Sequence, residues 1–212
     1  MGNDTRKCIL IATKNRHKAE ELAALAAPLA PGGLHTISLT DWENDKGLVL
    51  AEPEEGAASF VENALLKAHY YADKTQLPAL ADDSGLMVEA LGGPGVLSAR
   101  YGGPGLNDQQ RYELILTNLA GQHDRRAYFT SVLALAKPGS GGLYWTGRAD
   151  GLISRKPQGL NGFGYDPVFY YPPAKKTMAE LTPEEKNSVS HRARAALAFK
   201  KDLDRVQRFL RS

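Results

Sequence analysis

The segment Lys137-Pro-Gly-Ser-Gly-Gly142 separates two strand-like stretches, residues 126–136 and 143–154. Two such runs joined by a glycine- and proline-rich connection predict a β-hairpin. The N-terminus predicts something else. KCILIAT, residues 7–13, is a short apolar run that ends in polar residues, the pattern of a buried strand. Residues 16–29 then carry Ala19, Leu22, Leu25, Ala26 and Leu29 at helical spacing, with Pro28 near the end. Strand, tight turn and helix is how a crossover between parallel strands begins. A chain that holds both signals is expected to be α/β with a mixed sheet.

The rest of the pattern fits that class. Residues 34–39 read as a second strand, and Asp41 to Ala57 as an acidic, irregular loop. Ser59 and Glu62 have capping-box spacing, so a helix is expected to about Lys74, with Phe60, Ala64, Lys67/Ala68 and Tyr71 on one stripe. Pro78–Ala81 is expected to be a short strand leading into Asp82-Asp83-Ser84-Gly85. Residues 92–105 hold six glycines and two prolines and read as loop. Asn107 with Gln110 caps a helix to Leu119, and Val168–Tyr171 is a further strand. Thr182-Pro183-Glu184-Glu185 starts a short helix that Lys186 ends. A last helix is expected over about 190–210, with Ala196, Phe199, Leu203, Val206 and Leu210 at 3–4 spacing.

Composition excludes several classes. The 212 residues suffice for one large domain or two lobes sharing a core, and residues 1–212 are expected to form a single two-lobed domain. At 42% hydrophobic and 24% charged, neither disorder nor a fibrous class is indicated. A net charge of +2 is too small to argue for a nucleic-acid surface. The one cysteine, Cys8, allows no intrachain disulfide and no Cys-based metal site; within its apolar run it reads as a buried, inert thiol. No apolar run approaches a membrane span, and the N-terminus lacks a signal-peptide core. A soluble, cytoplasmic protein with neither membrane nor nucleic-acid partners is expected.

Five stretches carry candidate chemistry. Thr13-Lys14-Asn15-Arg16-His17-Lys18 joins the first strand to the first helix, where free amides and the helix dipole attract anions. It reads as a phosphate grip or as a solvated basic turn, and it lacks the glycines of a P-loop. Asp82-Asp83-Ser84-Gly85 follows a strand. Paired acids there suit a divalent cation such as Mg²⁺, or one acid acts as base toward water. The same composition also suits an Asx turn with Gly85 left-handed. Glu52, Glu54 and Glu55 are either further metal ligands or a solvated loop. Lys186 ends the short helix, and His191 and Arg192 open the last one, where a cation is unfavourable without a bound anion or base; a solvated Arg and a His capping a neighbour are the plainer account. In LNGFGYDPVF, the glycines allow close backbone approach, Phe163 or Tyr165 can stack on a base, and Asp166 can accept from ring N–H groups. A glycine-rich turn around a buried Phe is the plainer account.

With these residues in place, the chain resembles the inosine triphosphatase family, the Ham1-like pyrophosphatases of non-standard purine nucleoside triphosphates. The resemblance spans nearly the whole chain through five ordered blocks: ILIATKNRHKAEEL, EEGAASFVENALLKA, ALADDSGLMVEALGGPGVLSARYGG, GFGYDPVF and AELTPEEKNSVSHRARAAL. It implies two α/β lobes around a long twisted mixed sheet, with the substrate cleft between them, and a homodimer. It implies Mg²⁺-dependent cleavage of ITP, dITP and XTP between the α- and β-phosphates, removing deaminated purines from the nucleotide pool. Thr13, Asn15 and Lys18 then match the first substrate-binding block, with Lys14, Arg16 and His17 beside them. Asp83 matches the proton acceptor and metal ligand, and Ser84 a substrate contact. Glu54, with Glu55 close behind, is expected to complete the metal site. Phe163, Gly164, Tyr165 and Asp166 match the base-binding segment, and Lys186, His191 and Arg192 the block facing the 6-oxo group. Lys14 departs from the family, which usually has Gly after the Thr. Its side chain would crowd the triphosphate or add a phosphate contact.

In the mechanism this implies, a metal held by Asp83 and an acidic partner neutralises phosphate charge, Asp83 or a metal-bound neighbour deprotonates water, and Lys14 and Lys18 offset the leaving pyrophosphate. Donors from Lys186, His191, Arg192 and the amides near Phe163 would face O6 of a keto purine and reject adenine. Two other readings stand beside it. A Maf-like pyrophosphatase shares the broad fold, but the Ser-His-Arg block and GFGYDP argue against it. A nucleotide sensor without turnover is the other, and Asp82-Asp83 with Glu54 argues for catalysis instead.

Overall fold

A computed structural model describes residues 8–26, 35–56 and 58–212. The described strands are β1 (Cys8–Ile11), β2 (His35–Ser38), β3 (Ala79–Val88), β4 (Gly93–Pro94), β5 (Arg126–Ala136), β6 (Gly142–Ile153), β7 (Phe169–Tyr171) and β8 (Lys176–Thr177). The helices are α1 (Arg16–Ala26), α2 (Leu39–Lys46), α3 (Phe60–Thr75), α4 (Asp108–Asn118), α5 (Pro183–Val189), α6 (His191–Lys201) and α7 (Leu203–Arg211). The sheet order is β2-β1-β3-β5-β6-β7-β8, with β4 paired to β3. β1 is parallel to β2 and β3, whereas the β3–β4, β6–β7 and β7–β8 pairs are antiparallel. The expected mixed sheet is therefore present.

The chain divides into two compact units. One holds the described residues up to Asp83, with Val132–Gly147 and Ala195–Ser212; the other holds Ser84–Ser131 and Arg148–Arg194. The first unit is layered by strand alternation. Ile9, Ile11, Leu80, Leu133 and Leu135 point to one face, where Leu22 of α1, Phe199 of α6 and Val206 of α7 cover them. Leu10, Ala79, Ala81, Val132 and Ala134 point to the other, against Leu39 and Trp42 of α2 and Ala64, Ala68 and Tyr71 of α3. Strands buried on both faces must be apolar at every position, which is why CILI shows no period of two. The second unit has one core, in which Leu86, Val88, Ile115, Phe129, Ile153, Phe169 and Met178 meet.

Several expectations are corrected. The stretch read as an acidic loop from Asp41 contains most of α2. Ser38 Oγ accepts the Asp41 N–H, and Gly47, at φ 64°, ends the helix. Charge hid a helix anchored by two buried side chains, Leu39 and Trp42. The Asp82–Gly85 stretch is not a turn. It lies inside β3, which runs well past the expected end at Ala81. Residues 92–105 are not all loop, because Gly93–Pro94 pairs with Met87–Val88 and a 3-10 turn covers Gly95–Arg100. Lys186 lies within α5 rather than at its end. The final helix breaks at Asp202, whose carboxylate accepts the Trp145 indole N–H at 3.0 Å.

Caps behave unequally. The Asn107–Gln110 and Thr182–Glu185 boxes are reciprocal. At Ser59 only half forms, since Glu62 takes the Ser59 hydroxyl at 2.9 Å instead of a backbone amide. Cys8 is half-buried, and burial pushes its thiol up. Lys7, residues 27–29, Leu34 and Ala57, and the expected apolar contributions of Leu25 and Ala26, lie outside what is described.

Candidate active site

Alternation along β3 decides what the two aspartates do. Successive side chains in a strand point to opposite faces. Asp82 follows the register of Leu80, toward α1, and its Oδ2 meets Lys18 Nζ at 3.0 Å. Asp83 follows Ala79 and Ala81, toward α3, and its Oδ1 accepts from Lys67 Nζ at 2.7 Å. Adjacent in sequence, the two acids thus serve different ammoniums on different faces, and the expectation that the pair shares one cation is corrected.

Lys67 reaches a second carboxylate, Glu55 Oε1, at 3.1 Å. Glu55, Lys67 and Asp83 therefore form one chain of charge in the first unit. Burial pushes the Asp83 carboxyl above the ordinary aspartate range, and the Lys67 ammonium only partly offsets this. Desolvation works against the Lys67 ammonium, but Asp83, Glu55 and Asp82 together outweigh it, so Lys67 is held above its ordinary value. The outer oxygen of Asp83, Oδ2, is buried and has no hydrogen-bond partner among the described residues. A buried acceptor left without a donor costs about 1–3 kcal/mol. A fold tolerates that where a ligand or metal supplies the partner. From the sequence, Lys67 reads only as part of a helix stripe. Its signal was a lysine on the apolar face of a capped helix, where a charge needs a partner.

The β1–α1 turn divides its residues. Lys18 joins Asp82. Thr13 Oγ1 accepts the Asn15 N–H at 3.2 Å, and Asn15 Oδ1 accepts the Lys18 N–H at 3.0 Å, so both side chains build the start of α1. Arg16 is exposed and pairs along the helix with Glu20. His17 is exposed. Lys14 bonds the Leu50 carbonyl and lies 3.6 Å from Glu43. Glu54 is exposed, and it is Glu55 that reaches Lys67.

A second constellation lies in the other unit. Phe163 is only half-buried, and two cations lie against its ring: Lys186 Nζ at 4.8 Å from the centroid and the Arg192 guanidinium carbon at 5.2 Å. Both cations are almost wholly buried. Lys186 donates to Asp166 Oδ2 at 2.6 Å, and Arg192 donates to Ser84 Oγ at 2.7 Å. The His191 ring stacks on Phe129 with centroids 4.7 Å apart. Tyr165 is a core anchor, with its hydroxyl donating to the Ser98 carbonyl at 2.7 Å and its acidity lowered by burial. Of the two rings offered for stacking, the structure leaves Phe163 accessible and packs Tyr165 away.

Asp166 organises this segment. The oxygen that holds Lys186 also accepts the Phe163 N–H at 2.9 Å. Gly162 makes the approach possible: it has φ 76°, and a Cβ there would lie 2.2 Å from Asp166 Oδ2. The next amide, Gly164 N–H, is taken by Asp108 Oδ2 at 2.8 Å. The expectation that amides near Phe163 donate to a purine oxygen is therefore corrected for these two, because protein carboxylates already hold them. The side chains of Lys186, His191 and Arg192 remain as the candidate donors.

Among the described residues, no group of three or more His, Cys, Asp or Glu is arranged to hold a metal. Nor is any described helix long and apolar enough to cross a membrane.

The first unit thus carries a carboxylate–ammonium centre whose buried Asp83 Oδ2 has no hydrogen-bond partner among the described residues, and the second a half-buried ring flanked by two cations. The chain belongs to the Ham1 family, whose model matches residues 9–202. A dITP/XTP pyrophosphatase from Syntrophobacter fumaroxidans is 44% identical over 203 residues, covering 95% of this chain and 84% of that protein. Another, from Thermus thermophilus, is 46% identical over 194 residues, 90% of this chain and 89% of that one. The structure of a HAM1 protein from Coxiella burnetii matches with a TM-score of 0.82 at 39% identity, covering 93% of this chain and 98% of that chain.

Proposed function

We propose that this chain is a hydrolase that converts dITP, ITP and XTP to the monophosphate and pyrophosphate, clearing deaminated purines from the nucleotide pool. The observation that carries the reading is the Asp83 centre, a buried carboxylate whose free oxygen has no donor and whose other oxygen holds Lys67. Family membership and the names of the relatives support the substrate class.

In this reading the chain's own groups divide the work. Asp83, made more basic by burial, orients water and takes its proton. Lys67 and Lys18 stabilise charge that develops on the phosphates, in a partly desolvated setting where such contacts are strong. Phe163 stacks on the base, and Lys186 and Arg192 set donors beside it. Within the second unit Ser84 accepts from Arg192, which holds that guanidinium in place.

The donor set fits a divalent cation, and Mg²⁺ is the ion we assign. Asp83 and Glu55 are hard oxygen donors that already share one cation, Lys67. Mg²⁺ takes one or two carboxylates plus waters and substrate phosphates, so it needs no three-residue cage. When bound, it would supply Lewis-acid neutralisation of the phosphates. A homodimer acting in the cytoplasm completes the reading, and light scattering tests the dimer.

The deciding assay offers dITP, XTP, dGTP, dATP and dCTP with and without Mg²⁺, and separates pyrophosphate from orthophosphate. Pyrophosphate from dITP and XTP alone is expected. Preference for a pyrimidine substrate would favour a Maf-like enzyme, and tight dITP binding without product would favour a sensor.

A further inference from the structure

We propose that Lys14, with Glu43, is a clasp that positions the acidic segment 50–55, and is not a ligand of the substrate's phosphates. The inference rests on the reading that Glu55 belongs to the reacting end of the site. Both polar groups of the Leu50 backbone are held by this pair. Glu43 Oε1 accepts the Leu50 N–H at 2.8 Å, and Lys14 Nζ donates to the Leu50 carbonyl. Lys14 and Glu43 also face each other at 3.6 Å, with the Glu43 side chain only 11% exposed. The Leu48 N–H adds a bond to the Glu43 carbonyl at 3.1 Å.

Three pieces of chain meet here: the β1–α1 turn, α2, and a segment with no regular structure of its own. At its far end the same segment is anchored by Glu55 on Lys67. An irregular segment tied at one end samples many conformations, and a second tie removes them before the ligand arrives. Lys14 provides that tie. A glycine at this position would have no side chain to reach the Leu50 carbonyl. A lysine engaged by a carboxylate and a carbonyl would have to leave both to meet a phosphate.

The two roles predict opposite signs for one substitution. If Lys14 is a clasp, Glu43→Gln and Lys14→Gly both loosen the segment. Amide exchange at Leu50 should then accelerate about tenfold in each. The KM for dITP at fixed Mg²⁺ should rise about three- to tenfold, with kcat changed less than about twofold. The double variant should be no worse than the weaker single one, since one device is removed. Lys14→Arg should restore most of the exchange protection. If Lys14 instead binds phosphate, Glu43→Gln frees it, and KM stays constant or falls while Lys14→Gly raises it; that result overturns the proposal. Unchanged Leu50 exchange in both variants overturns it equally. Exchange is measured on the free protein. A wild-type chain that releases no pyrophosphate from dITP would therefore sink the functional reading and leave the clasp still tested. Should Glu43→Gln fail to fold, Lys14→Met read by the same exchange decides.

Discussion

The two constellations are opposites in charge and in construction. Around Asp83 and its neighbour, three carboxylates (Asp82, Asp83 and Glu55) face two ammoniums, Lys18 and Lys67. Around Phe163, one carboxylate, Asp166, faces Lys186 beside a second cation, Arg192. The first is short of positive charge and leaves an acceptor without a donor. The second is rich in donors and offers a ring. A donor or a cation suits the first, and a planar group with acceptor oxygens suits the second. They also differ in scaffold. The acidic centre rests on a strand and a long helix, whereas the ring sits in a loop whose amides at Phe163 and Gly164 are held by the carboxylates of Asp166 and Asp108. The former should tolerate substitution without loss of fold, and the latter should respond to small backbone changes.

The largest effect is expected at the acidic centre. Asp83→Asn should lower pyrophosphate release from dITP by roughly 10³-fold while the circular dichroism spectrum is unchanged. Activity within tenfold of wild type would remove Asp83 from the chemistry. Lys67→Met should cost about 10²-fold, mostly in kcat. Phe163→Ala should act on the other side of the comparison, raising KM for dITP about tenfold or more through lost stacking, with kcat less affected. A pure kcat defect there would show that the ring positions phosphate rather than base.

Smaller changes probe the scaffold. Gly162→Ala forces a side chain into a left-handed backbone and onto Asp166, so about tenfold weaker dITP binding is expected, with kcat little changed. The smallest effect tests a surface pair against these buried ones. Asp124 is partly exposed, and hydrogen bonds from Arg126 hold its carboxyl down at about 2. A depressed folded value means the pair stabilises the fold above the unfolded value, and the benefit fades as pH falls toward 2. Urea midpoints of wild type and Asp124→Asn should therefore differ slightly at pH 5 and converge near pH 2, with dITP turnover at neutral pH unaffected.

Much of the fold is legible in the sequence because its elements rest on short motifs with local causes. The reciprocal caps at Asn107 and Thr182, the hairpin at Lys137–Gly142 and the strand–turn–helix opening depend on neighbours a few positions away. α2 was missed because its acidic composition masked two buried anchors three residues apart. The length of β3 was missed because Asp, Ser and Gly suit turns, and only burial against helices on both faces overrides that preference. Lys67 was seen as part of a stripe but not as a partner, since its carboxylates lie in other elements.

Sequence determined the alternation of elements, the family, and which side chains carry charge or a ring, since these follow from residue identity and spacing along one chain. Tertiary structure decided how those groups are paired: Asp82 with Lys18, Asp83 with Lys67, Lys14 with Glu43, and the Phe163 and Gly164 amides with carboxylates. The reason is range. A hydrogen bond or ion pair acts over about 3 Å, so partners far apart in the chain are fixed only once strand register and helix packing bring them together.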